Sequence, residues 1–108
     1  MDQPRNRVNP SRSDVVNMVL SSLEEVLTMA DGHSPGAIGE ETYLIGRDAV
    51  LDSMGLVTLI VDVEQRLEED YGVVLVLADE RAMSQQHSPF RSVRSLADYI
   101  CRRIEEQG

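Results

Sequence analysis

Ser53-Met54-Gly55-Leu56-Val57-Thr58-Leu59-Ile60-Val61-Asp62-Val63-Glu64-Gln65-Arg66-Leu67-Glu68-Glu69-Asp70 is the stretch that decides the fold. Leu56, Leu59, Ile60, Val63 and Leu67 recur in steps of three and four. That spacing stacks side chains on one face of an α-helix and predicts a buried stripe. Gly72 follows and predicts the stop, because glycine takes the left-handed cap conformation without penalty. At the other end the chain reads Leu51-Asp52-Ser53-Met54-Gly55. It places a serine hydroxyl at the helix start, directly after an acid.

Upstream, residues 31–52 read as a long connection containing Gly32, Pro35, Gly36, Gly39 and Gly46. Connections of this length inside a small domain are uncommon and often functional. Tyr43, Leu44 and Ile45 are expected to tuck inward and anchor it. Before it, Val15, Val16, Val19, Leu20, Leu23, Val26 and Leu27 predict a first amphipathic helix, capped by Ser11 or Ser13. Residues 1–12 read as a flexible arm. Downstream, Val73-Val74-Leu75-Val76-Leu77 is apolar and β-branched, but no second strand signal exists to pair with it. A buried extended connection is the expectation. Ala78 to Ser84 predicts a short helix, and Ser88-Pro89 breaks the chain. Ser92 caps a last helix with Val93, Leu96, Ala97, Ile100, Cys101 and Ile104 facing inward, while Ser95 and Asp98 offer a competing cap one turn later. The expected fold is all-α: a small bundle of three main helices plus one short helix, with a long loop between the first and second helices. An arm over 1–12 and one domain over 13–106 complete the organisation.

A chain of 108 residues is long enough to bury a core without metal or disulfide. The single cysteine excludes an intrachain disulfide and agrees with a reducing compartment. No apolar run approaches the ~20 residues needed to span a bilayer, and the polar start contains no signal-like block. The expected location is the cytoplasm. The net charge is −9, and between residues 40 and 80 eleven acids face only Arg47 and Arg66. The imbalance therefore sits around Ser53 and the helix after it. Such a field repels nucleic acid and anionic membrane, and it speeds encounter with a basic protein surface. The chain has no lysine; that absence has no functional explanation.

Ser53 admits two readings from helix physics alone. It is a favoured N-cap residue. It also stands where unpaired backbone N–H groups and the positive end of the helix dipole suit a phosphate ester. Asp52 beside it offers hard carboxylate oxygen to a divalent metal during delivery of such a group. Met54, Val57 and Val61 form a second apolar stripe, offset from the core face. Clustered apolar groups on an outer face mark an interaction surface.

Leu51-Asp52-Ser53-Met54-Gly55-Leu56-Val57 resembles the phosphopantetheine attachment motif of acyl carrier proteins and related aminoacyl and peptidyl carriers. The resemblance extends over about residues 13–106. It includes the first amphipathic helix, the long loop, the acids of the second helix, Glu68-Glu69-Asp70-Tyr71-Gly72-Val73, and the closing Ser95-Leu96-Ala97-Asp98-Tyr99-Ile100. It implies a non-enzymatic monomeric carrier in which Ser53 bears covalent 4′-phosphopantetheine and Asp52 assists loading. It implies that Met54, Val57 and Val61 contact partner enzymes, with Glu64 and nearby acids drawing in a basic docking site. The implied partners are a phosphopantetheinyl transferase, an acyl- or aminoacyl-activating enzyme, and a downstream acyltransferase or synthase. The resemblance implies neither nucleic-acid binding nor membrane insertion. Gly55 stands where fatty-acid carriers usually have an acid, so Ser-Met-Gly is closer to D-alanyl carriers and some peptidyl carriers. The second helix is about one turn longer than usual. Together these imply a specialised member that works with a dedicated activating enzyme.

Other chemistry is set aside. His33 and His87 lie in loops with nothing to orient either toward Ser53, so a serine hydrolase is not expected. Cys101 falls on an apolar helix face, as a structural cysteine does. Glu68, Glu69 and Asp70 lack the alternating, glycine-hinged oxygens of a calcium loop. Arg5, Arg7 and Arg12 are too sparse for nucleic acid, and Arg102-Arg103 complement a helix end. The alternative of a different class is an unmodified acidic interaction module in which Ser53 only caps a helix.

Overall fold

The computed structural model describes residues 10–32, 37–46, 49–77 and 89–107. Among these residues the chain is helical and contains no strand. Helix α1 spans Arg12–Asp31, α2 spans Ser53–Tyr71 and α3 spans Val93–Gln107. The short helix expected over 78–84 lies outside the described residues, as do most of the arm, His33 and His87.

Each helix ends where its sequence chemistry allows. Ser11 caps α1 in a reciprocal pair: its hydroxyl accepts from the Asp14 N–H at 3.1 Å, and its own N–H donates to Asp14 at 3.0 Å. Ser13 is not the cap, and Arg12 belongs to the helix rather than to an arm. Gly32 and Gly72 close α1 and α2 at φ of 80° and 67°. The Gly32 N–H returns to the Thr28 carbonyl and the Gly72 N–H to that of Glu68. At α3 the competing cap does not form. Ser92 and Ser95 instead serve one another, the Ser92 N–H donating to Ser95 Oγ at 2.9 Å and the Ser95 N–H to Ser92 Oγ at 3.2 Å. Serine takes the place that glutamate usually holds in such a box.

Helix α1 is the centre of the assembly. It packs against both α2 and α3, whose backbones do not approach each other within 8 Å. The predicted stripe Leu56, Leu59, Ile60, Val63 and Leu67 is buried, and it meets Val15, Val19, Leu23 and Leu27 of α1 together with Leu96, Ile100 and Ile104 of α3 in one core. Met18, outside the predicted face, is buried too. After the Gly72 cap the chain runs over 73–77 with Val73, Leu75 and Leu77 in the core and Val74 and Val76 outward, the alternation of an extended segment. Two long side chains pin it. Glu64 of α2 accepts from the Leu77 N–H at 2.7 Å, and Arg103 of α3 donates to the Val76 carbonyl at 3.1 Å.

The loop before α2 is stitched to the start of α3. Leu44 N–H donates to the Arg91 carbonyl at 2.7 Å, Val93 N–H to Thr42 at 3.0 Å and Arg94 N–H to Glu40 at 3.0 Å. Tyr43 and Ser92 form an isolated antiparallel bridge. Leu44 is the buried anchor and Ile45 is half-buried, but Tyr43 stays 48% exposed, contrary to expectation. Adjacent residues in this extended run point to opposite sides, so both cannot enter the core. Arg12 pairs with Glu40 and Asp98, each at 2.8 Å, and Arg94 pairs with Glu41, fastening the same loop from outside.

Candidate functional site

The fastened loop ends at Asp52, in extended backbone at φ −88° and ψ −176°. Its carboxylate accepts from the Gly55 N–H at 2.7 Å and its carbonyl accepts from the Leu56 N–H at 2.9 Å. Asp52 is therefore the N-cap of α2, and Ser53 is the first residue inside the helix. The capping role that the sequence left open for Ser53 belongs to its neighbour.

Gly55 makes that cap fit. A Cβ at this position would stand 3.2 Å from Asp52 Oδ1 and 3.1 Å from Leu51 Cδ2. A side chain at position 55 would therefore require Asp52 or Leu51 to give by a few tenths of an ångström. No acid occurs in the first turn of α2, and Met54 N–H has no acceptor among the described residues. With the dipole's positive end beside it, this start suits an anionic group joined to Ser53.

The predicted stripe lies on the outer face of α2: Met54 is 77% exposed, Val57 49% and Val61 45%. Thr58 sits between them and donates its hydroxyl to the Met54 carbonyl at 2.9 Å, so its oxygen remains an acceptor. Val57, Thr58, Val61, Asp62 and Gln65 line one shallow groove. A second recess, of about 290 Å³, opens at the helix start between Met54, Gly55, Thr58 and Asp52 on one side and Val26 and Met29 of α1 on the other. Val26 was read from the sequence only as part of the α1 stripe, and Met29 was not singled out; its signal was an apolar side chain beyond that stripe.

The acids of α2 are less free than their sequence suggested. Glu64 is half-buried and bonded to the extended connection, so it is a structural clamp as well as a surface charge. Asp62 accepts from Ser22 at 2.5 Å and from Arg66 at 2.7 Å, while Arg66 also reaches Glu25 at 2.6 Å. Burial pushes the Asp62 carboxyl up, but the bonds from Ser22 and Arg66 outweigh it and hold the group below the usual aspartate range. Ser22, the buried polar residue of α1, is satisfied in this way. Cys101 is half-buried, and burial raises its thiol above the ordinary value.

Compared with known proteins, the chain matches no family model, no curated protein and no solved structure.

Proposed function

We propose that this chain is a carrier of the acyl-carrier type, with 4′-phosphopantetheine attached to Ser53, serving enzymes of a specialised biosynthetic pathway in the cytoplasm as a monomer. The observation that carries the reading is the cap. Asp52 meets the helix's need for a capping side chain, so the serine beside it is not required for that task. When bound, the group supplies a terminal thiol that holds an acyl or aminoacyl cargo as a thioester. The fold's part is to set the start of α2 at the end of a loop fastened to α1 and α3. Helices α2 and α3 packed on α1, the long loop and the extended connection accord with an acyl-carrier-like bundle, which the short helix expected over 78–84 would complete.

The exposed Met54, Val57 and Val61 form the contact surface for the transferase, the activating enzyme and a downstream acyltransferase or synthase. Exposed Glu68, Glu69 and Asp70 continue the negative field along the same helix and favour basic docking sites. Glu64 contributes to that field through a carboxylate already oriented by Leu77.

Intact mass tests the proposal after incubation with coenzyme A, magnesium and a broad-specificity phosphopantetheinyl transferase. One addition is expected on the chain, with 3′,5′-adenosine diphosphate released, and none on Ser53→Ala. A folded wild-type chain that takes no addition would leave the second reading, an unmodified acidic interaction module. The same exposed stripe supports that reading, and partner capture unaffected by Ser53→Ala would favour it.

A further inference from the structure

The recess at the start of α2 has a lining that specifies what it accepts. Met54 and Gly55, the two residues after Ser53, form one wall, and Val26 and Met29 of α1 form the other. Met29 and Met54, at 79% and 77%, are the most exposed large apolar side chains among the described residues, whereas Val26 is only 8% exposed. Two extended methionines on separate helices therefore flank an apolar floor. Thioether side chains of this kind are adaptable and close over varied apolar shapes. The side-chain polar atoms at the rim are acceptors. Asp52 spends one carboxylate oxygen on the Gly55 N–H, and Thr58 spends its proton on the Met54 carbonyl. The remaining carboxylate oxygen and the Thr58 oxygen attract donors.

The recess thus favours an apolar group carrying hydrogen-bond donors. Its volume of about 290 Å³ lies at the lower end of small-molecule sites, which run from about 300 to 1,000 Å³. Any group it holds from Ser53 must be close to the attachment atom, because its walls begin at the next residue.

On the reading that Ser53 carries 4′-phosphopantetheine, we infer that this α1–α2 recess seats the geminal-dimethyl part of the arm, with Met29 and Met54 closing over it. The neighbouring hydroxyl and amide N–H of the arm are the donors that face Asp52 and Thr58. The thiol end and its cargo extend beyond the recess, so seating is the same whatever cargo is carried. Met29 is a positioning residue for the arm.

Methyl NMR of the full chain with labelled methionine, before and after loading, tests this. Intact mass must first show one addition. The Met29 and Met54 ε-methyl resonances are expected to move, with cross-peaks from Met29 to the geminal methyls, while buried Met18 stays in place. A singly loaded chain whose Met29 methyl neither moves nor shows a cross-peak overturns the seating and leaves the attachment reading intact. A folded chain that takes no addition overturns both.

Discussion

At the scale of single residues, the division of labour between Asp52 and Ser53 gives opposite mutational signatures. Asp52→Ala should cost about 1 kcal/mol of unfolding free energy, the usual value of an N-cap. Ser53→Ala should cost less than Asp52→Ala in the same urea titration, while abolishing mass addition. A Ser53→Ala loss as large as that of Asp52→Ala would return the cap to the serine. Gly55 is coupled to the same carboxylate. Alanine in a helix interior normally gains about 1 kcal/mol over glycine, but its Cβ would crowd Asp52 Oδ1 and Leu51 Cδ2. Gly55→Ala should therefore gain less in the native chain than in an Asp52→Ala background. A double-mutant cycle measures that difference directly, and strict additivity would show that the carboxylate does not feel position 55.

At the scale of elements, periodicity made the helices legible and long-range bonding remained hidden. Leu56, Leu59, Ile60, Val63 and Leu67 announced their face because helix geometry fixes which residues share a side. Val63 is fully buried, so Val63→Asp should abolish cooperative unfolding by placing an unpaired charge in the core. A well-folded variant would mean the face was misassigned. Local pattern also narrowed the first cap to Ser11 or Ser13 and identified Gly72, since caps are read within a few residues. It said nothing of Glu64 bonding Leu77, Ser22 bonding Asp62, or Tyr43 bridging Ser92, because their partners lie 13, 40 and 49 positions apart. The candidate site was legible in the same uneven way: the motif pointed to Ser53, but only the packing of α1 on α2 brings Met29 to the start of α2. The Asp62 clamp between these helices has its own pH signature. Its folded-state carboxyl titrates below the ordinary value of about 3.9. The stability it contributes is present above that ordinary value and disappears as pH falls through the lower folded one. The gap in unfolding free energy between wild type and Asp62→Asn should be full near neutrality and shrink only in strong acid. A gap that closes already near pH 5 would remove the clamp.

At the scale of the whole molecule, Arg12 joins the start of α1 to Glu40 in the loop and Asp98 in α3. These pairs are exposed, so salt screens them. Arg12→Gln should accelerate amide exchange at Leu44 and Val93, the bonds that hold the loop to α3, at low ionic strength. At about 1 M salt, where the screening length falls to roughly 3 Å, the difference should vanish. Unchanged exchange at low salt would make those pairs incidental. The central place of α1 also has a consequence for synthesis. Its two packing partners arrive at very different times, α2 about twenty residues after α1 ends and α3 about forty further on. The loop between α1 and α2 must wait as well, since its backbone partners Arg91, Val93 and Arg94 belong to the last part of the chain. On a ribosome adding roughly 5–20 residues per second, the first two helices spend seconds together with one side of α1 bare. The fastened loop, and with it the fixed setting of Ser53, forms only after the final helix emerges. On the proposed reading, the setting of the serine would therefore be complete only in the finished chain, although the outer face of α2 is made much earlier.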